Sequence, residues 1–211
     1  MKIEWIHSED ITSKNSEKTL GTLNGILVAP GFGSRGIAGK IEAIKFAREN
    51  KIPFLGICLG MQCAVIEFGR NVLSLKNADS TEMNPDTKYA VIDIMEEQKK
   101  ITAKGGTMRL GAYPCKIIPG TKTEEIYKTP EISERHRHRY EFNNKFFDLY
   151  QKFGMLASGI NPKTNLVEIM ELKNHPFFIG VQFHPEYKST VACPHPLFVS
   201  FVKAAILNSK H

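Results

Sequence analysis

Two short motifs hold side chains that can do chemistry together. The first, Gly56-Ile57-Cys58-Leu59-Gly60, follows an apolar run and precedes a helical pattern of Met61, Ala64, Val65 and Phe68. A strand that enters a helix through a turn with glycines two positions either side of one nucleophile has the nucleophile-elbow layout, which pushes the nucleophile clear of the backbone. A helix N-terminus just behind Cys58 favours its thiolate over its thiol. The second motif is His184-Pro185-Glu186 at the end of an apolar run. Pro185 forces the chain to leave a central strand there. Side chains two apart on extended backbone point the same way, so Glu186 can bond one imidazole nitrogen of His184. Each motif alone has a plain structural reading: Cys58 as a small buried hydrophobe, His184 as a satisfied strand-end histidine, Glu186 as a surface acid. Together they supply a nucleophile, a base and an orienter, the set that acyl transfer needs.

Acyl transfer also needs donors for an oxyanion. The Leu59 amide, at the helix start, is one candidate. The loop Pro30-Gly31-Phe32-Gly33 follows a second apolar run, where ligands collect in open α/β sheets, and Gly31 N–H is the other. The loop has neither GxGxxG nor GxxxxGK[ST], so it does not read as a nucleotide cradle. The run Ser133-Glu134-Arg135-His136-Arg137-His138-Arg139-Tyr140-Glu141 is the sharpest charge feature. It reads as solvated surface, as a phosphate or nucleic-acid contact, or as the source of one arginine that clamps a carboxylate. Asp79-Ser80-Thr81-Glu82 reads as a turn or as a holder of a substrate ammonium.

The elements that would position these residues follow from periodicity. Lys2–Ile6 alternates and predicts a strand, with a polar loop from His7 to Lys18. Gly25–Ala29 predicts a buried parallel strand, Gly39–Asn50 a helix, and the stretch after Cys58 a helix to about Arg70. This βαβα order implies an α/β fold with a mainly parallel sheet covered on both faces. Asn77–Lys88 reads as a loop, Tyr89–Ile94 as a strand, Glu96–Thr107 as a mobile surface loop, and Gly111–Ile118 as a strand. Arg139–Phe142 is extended and Asn144–Phe153 a short amphipathic helix. Leu166–Leu172 and Phe177–Phe183 form paired strands, and Pro196–Leu207 is a closing helix.

Composition sets the remaining bounds. At 211 residues without a linker or repeat, one domain is expected. There is no signal-like start and no membrane-length apolar run, so the expected location is cytoplasmic, with no membrane partner. Four cysteines without CxxC or zinc-ligand spacing indicate reduced thiols and no metal site. A net charge of +6 is modest and argues only weakly for nucleic acid, which is not expected as a partner.

Gly56-Ile57-Cys58-Leu59-Gly60-Met61-Gln62 together with Gln182-Phe183-His184-Pro185-Glu186 resembles the class I glutamine amidotransferases, whose triad runs Cys…His…Glu. Four further stretches are similar to the glutaminase domain of the CTP synthase family. They are Gly31-Phe32-Gly33 with Arg35-Gly36, Asp79–Glu82, Gly105-Gly106-Thr107-Met108-Arg109-Leu110-Gly111, and Glu134–Glu141. The similarity runs from about Lys2 to Ala205. It implies the class I amidotransferase fold as a single domain over 1–211. Cys58 would attack the amide carbon of L-glutamine, His184 would move the protons and Glu186 would fix the imidazole. Gly31 and Leu59 would hold the oxyanion; Gln62, Glu82 and Arg139 would grip the substrate's backbone ends, and Phe32 would wall the pocket. The resemblance implies no cofactor in this chain, and ATP, Mg2+ and the activator GTP for the complete enzyme. Its implied partners are L-glutamine and a synthetase domain that aminates UTP to CTP, in homotetramers. The family's leading strand and helix, and its synthetase domain, are not in this sequence, so this chain is not expected to make CTP alone. Arg35 and Gly36 lie in the segment that the family links to GTP, where Ala38 replaces a glutamate. Pro30 replaces a glycine of the oxyanion loop. The other reading is a stand-alone hydrolase of γ-glutamyl substrates with the same triad.

Overall fold

The apolar runs become the strands of one curled sheet. The structure, a computed structural model, describes residues 1–94 and 108–209. Strands β1 (Ile26–Val28), β2 (Phe54–Ile57) and β10 (Phe178–Val181) lie side by side and parallel. Four more continue the sheet in antiparallel fashion: β9 (Val167–Leu172), β8 (Met155–Ile160), β5 (Arg109–Ile117) and β6 (Glu131–His138). The order is β1-β2-β10-β9-β8-β5-β6. The α/β class holds. The parallel pairing expected for most of the sheet is found at the end that carries the motifs, and hairpin-type connections make the rest antiparallel.

The sheet curls on itself. β6 ends the order, yet the His184 N–H, three residues past β10, donates to the Arg135 carbonyl of β6 at 2.8 Å. A second sheet, β3 (Ala78–Ser80), β4 (Tyr89–Ile94) and β7 (Tyr140–Phe142), packs on the other side of helix α3 (Leu59–Asn71). This explains why every residue of α3 from Leu59 to Gly69 is buried. The helix α2 (Ile37–Glu49) lies against it.

Strand alternation splits the core in two. Phe54 and Phe178, ring centroids 4.4 Å apart, face α3 with Met61, Val65 and Phe68. Leu55, Ile57, Ile179 and Val181 face the inside of the curl with Cys115, Phe183 and Leu197. Short helices α1 (Ser16–Leu20), α4 (Lys122–Tyr127) and α5 (Phe147–Lys152) and the longer α6 (Pro196–Asn208) complete the chain. Among the described residues no helix is long and apolar enough to cross a membrane.

Three local expectations are corrected. Residues 2–6 form no strand; Ile3 is 62% and Trp5 90% exposed. Alternation permits a strand, but only a hydrogen-bonded neighbour makes one, and none of the described strands lies beside this segment. The polar stretch from His7 holds a 3-10 turn at Ser8–Asp10 and the start of α1. The loop at Asn77–Lys88 contains β3, which pairs with β4. The expected surface loop Glu96–Thr107, including Gly105, Gly106 and Thr107, lies outside the described residues.

Candidate active site

Cys58 sits between β2 and α3 with φ 51° and ψ −103°, in a region that non-glycine residues rarely adopt. The two flanking glycines make this turn possible by close approach. A Cβ on Gly60 would stand 2.3 Å from the Val28 carbonyl oxygen, and one on Gly56 would stand 2.7 Å from the Gly60 backbone. The Cys58 N–H donates to the Val181 carbonyl at 2.7 Å, so β10 holds the elbow from its far side. The Gln182 amide Nε2 lies 3.8 Å from the Cys58 sulfur.

Cys58 is 2% exposed, and burial pushes its thiol up to about 12. The Leu59 N–H opposes this, while the charges of Glu186, Glu141 and Glu82 add to it. The expected preference for thiolate is therefore overturned. Burial outweighs the helix N-terminus, which is typically worth only about 0.3–1 kcal/mol at a surface site.

His184 and Glu186 are joined as the HxE spacing suggests, Nδ1 to Oε1 at 2.6 Å. The turn that carries them is a 3-10 helix, Pro185–Lys188, with proline at its first position. His184 is 4% exposed and its ring stacks on Tyr187, centroids 4.9 Å apart and 10° from parallel. With Nδ1–H donating to Glu186, Nε2 carries the lone pair, and it is buried without a hydrogen-bond partner among the described residues.

A pocket beside the elbow gathers most of the other candidates. Gly31, Phe32, Cys58, Gln62, Glu82 and Arg139 line it, joined by Met108, His138 and Tyr140. His184 and Glu186 stand outside this lining, although the Glu186 charge reaches Cys58. Gly31 is beside the helix start: a Cβ on it would lie 3.2 Å from Leu59 Cδ2. Phe32 is 55% exposed at the mouth, with the Arg137 guanidinium 5.9 Å from its ring centroid. Gln62 is buried, and its Nε2 donates to the Tyr140 carbonyl at 3.0 Å and to Gln182 Oε1 at 3.2 Å, which leaves its oxygen for other partners. Glu82 Oε1 accepts the Gly33 N–H at 3.3 Å. Asp79, by contrast, is committed to Arg70 at 2.9 Å and to the Ser80 N–H. Arg35 is exposed and paired with Glu9 at 3.1 Å, and Gly36, φ 68°, caps α2.

The basic run is mostly β6, and its alternation sorts it. Glu134, His136 and His138 point inward and are buried; Arg135 and Arg137 point out. Arg139 follows the strand and reaches the pocket. His136 Nδ1 and His138 Nε2 are 2.8 Å apart. Burial and the nearby Arg109 keep both imidazoles neutral, with His136 lowered to about 2. Arg109 itself bridges Glu141 at 2.9 Å and Glu168 at 2.8 Å. Sequence reasoning gave no role to His138, Tyr140, Met108 or Gln182. The period-2 pattern of the run was the available signal for His138, and a buried amide closing an apolar strand was the signal for Gln182.

The profile of the family described as Glutamine amidotransferase class-I matches residues 1–204. CTP synthase of Cytophaga hutchinsonii is 67% identical over 97% of this chain, and that of Flavobacterium johnsoniae 66% over 95%. The chain spans only 38% and 37% of the length of these two relatives. The glutaminase domain of Trypanosoma brucei CTPS, solved with bound acivicin, superposes with a TM-score of 0.90 at 38% identity, covering 98% of this chain and 81% of that one. A putative GMP synthase protein of Thermoplasma acidophilum shares the fold at a TM-score of 0.60 and 17% identity, over 93% of this chain and 79% of that one. With an elbow cysteine, a joined His–Glu pair and a family match over nearly its whole length, this chain belongs to the class I glutamine amidotransferases.

Proposed function

We propose that this chain is the glutaminase half of a CTP synthase, hydrolysing L-glutamine to L-glutamate and ammonia through a thioester on Cys58. The observation that carries this reading is the pocket, where a nucleophile shares one lining with a carboxylate, Glu82, and a guanidinium, Arg139. Opposite charges beside a nucleophile suit the α-ammonium and α-carboxylate of an amino acid whose side-chain amide reaches the sulfur. The Gln62 oxygen adds an acceptor for the ammonium.

In the proposed reaction His184 Nε2 takes the Cys58 proton as the sulfur attacks the amide carbon. The C–S bond forms, and the carbonyl electrons move onto oxygen, where the Gly31 and Leu59 amides receive them. Collapse breaks the C–N bond, and the nitrogen leaves as ammonia with the proton from His184. Water then attacks the thioester, His184 takes its proton, and the sulfur leaves with that proton as the thiol. Glu186 holds the imidazole in the tautomer this requires.

The ammonia would pass to a synthetase domain that aminates UTP to CTP, as the names of the relatives suggest. ATP and Mg2+ would act in that domain; the described residues contain no group of three His, Cys, Asp or Glu side chains able to hold a metal ion. GTP activation would work through the Arg35–Gly36 segment, where Arg35 is tied to Glu9.

A glutamine-mimicking electrophile such as diazo-oxo-norleucine should label Cys58 and none of the other three cysteines, and glutamine should protect. Labelling elsewhere, or none in folded protein that also leaves glutamine intact, overturns the reading. Faster turnover of γ-glutamyl peptides than of glutamine would favour the stand-alone hydrolase.

A further inference from the structure

We infer that Glu134, buried on β6 and outside the pocket lining, is a positioning residue that fixes the turn carrying His184 and Glu186. The inference rests on the glutaminase reading and deepens it. The turn Pro185–Lys188 has to hold Glu186 against the imidazole, yet Glu186 is about one-third exposed and its Oε2 has no hydrogen-bond partner among the described residues. Beyond its one bond to His184, its placement comes from the backbone of the turn, which is held at one end by a backbone bond and at the other by a side chain. At the first, the His184 N–H donates to the Arg135 carbonyl at 2.8 Å. At the second, Lys188 Nζ donates to the Ser133 carbonyl at 2.6 Å. Both acceptors lie on the outer edge of β6, the last strand of the sheet, so the catalytic turn covers an otherwise open strand edge.

Glu134 lies between these two acceptors and is 2% exposed. Its Oε2 is 3.7 Å from Lys188 Nζ, and its Oε1 accepts from His195 Nε2 at 2.9 Å. The tautomer of His195 is settled by its other nitrogen, which accepts the Leu197 N–H at 3.3 Å where it caps α6. The His195 N–H in turn donates to Ser189 Oγ at 3.1 Å, one residue past the turn. A single buried carboxylate thus ties the end of the catalytic turn to the start of α6. The Glu134–Lys188 contact is an ion pair and not a hydrogen bond. Without that charge Lys188 keeps its bond to the Ser133 carbonyl but loses the attraction that holds it there, and the end of the turn nearest Glu186 loosens. An exposed ion pair alone would contribute little. Here the carboxylate is desolvated and, among the described residues, Lys188 is the only lysine or arginine paired with it, so the geometry depends on it.

The test compares Glu134→Gln, which keeps shape and one hydrogen bond, with Lys188→Met and Lys188→Arg on the exposed side of the same pair. Glutamine hydrolysis is measured alongside the downfield proton resonance of the short His184–Glu186 hydrogen bond, assigned by its disappearance in Glu186→Gln. We expect kcat to fall about tenfold or more in Glu134→Gln and Lys188→Met, since small misplacements of catalytic groups cost that much. KM should stay within about twofold, because the pocket lining is untouched. The His184 resonance should shift in both variants, and Lys188→Arg should restore both readouts. If kcat and the resonance match the wild type in both variants, Glu134 only supports the fold and the inference fails, whatever the melting temperature. Should Glu134→Gln not fold, the two Lys188 variants decide alone. A wild-type chain that does not hydrolyse glutamine counts against the glutaminase reading, and the resonance then decides on Glu134 separately.

Discussion

At Cys58 two effects of one location compete. The helix N-terminus and the Leu59 N–H favour the thiolate, while burial and three carboxylates oppose it. A thiol moved from 9.0 to about 12 is opposed by ~4 kcal/mol, several times the usual contribution of a helix terminus. Burial wins. Under the proposed mechanism Cys58 would rest as a thiol and become a thiolate only as His184 takes its proton, which suits a residue that would otherwise react with any passing electrophile. For a raised thiol pKa the reactive form grows with pH until the folded value is reached. With no glutamine added, alkylation of Cys58 by iodoacetamide should therefore climb about tenfold per pH unit from 7 to 10 with no plateau near 8 or 9. A plateau in that range would show a thiolate already formed.

At the scale of the element, the elbow is a close crossing of β1, β2 and α3, and glycine is required at two places for different reasons. Gly60 admits the Val28 carbonyl at a distance no Cβ tolerates, and Gly56 admits the Gly60 backbone. Gly60→Ala must push β1 away from α3 and should lower stability by about 3 kcal/mol, as overpacking of a rigid backbone contact does. Its denaturant midpoint should fall well below that of Gly120→Ala. Gly120 has φ 77° with nothing within 4 Å of where an alanine methyl would stand, so only backbone strain of roughly 1–2 kcal/mol applies. Much of this element was legible in the sequence, because a glycine two residues either side of Cys58 between an apolar run and a helical period has few other uses. The strand identity of the basic run was less legible. Charge dominates its composition, and only the inward burial of Glu134, His136 and His138 reveals the period of two.

For the whole molecule the decisive feature is the curl that brings β6 to the end of β10. Its interior holds an unusual polar cluster: Arg109 of β5 between Glu168 of β9 and Glu141 of β7, beside two neutral histidines. Two buried carboxylates share one guanidinium, and burial holds both above the usual carboxylate range. Arg109→Met would leave both acids uncompensated and should cost about 3–5 kcal/mol at pH 8. The sign with pH follows from linkage. Folded carboxylates that hold protons more tightly than unfolded ones gain stability as pH falls toward the unfolded value, 4.5. Arg109 lowers both acids, so the variant holds their protons to higher pH than the wild type, whose Glu141 lies at about 8. The deficit of Arg109→Met in urea unfolding should therefore grow above that value and be larger at pH 9.5 than at pH 7. An equal deficit at both would place the acids' titration elsewhere.

The amino-acid sequence by itself determined the local chemistry of this protein. The elbow turn, the two-residue spacing of His184 and Glu186, and the glycine loop before Phe32 are set by steric and covalent rules acting over a few residues. Only the tertiary structure decided what these pieces meet. It put Glu82 and Arg139 in one lining with Cys58, held the turn of His184 and Glu186 on the edge of β6, and buried Cys58 so that its thiol is pushed up against the expected preference for thiolate. Those outcomes depend on which strands neighbour which and on how much water is excluded. Both are properties of contacts between segments far apart in the chain, such as Gly33 with Glu82, 49 residues on, and Cys58 with Gln182, 124 residues on.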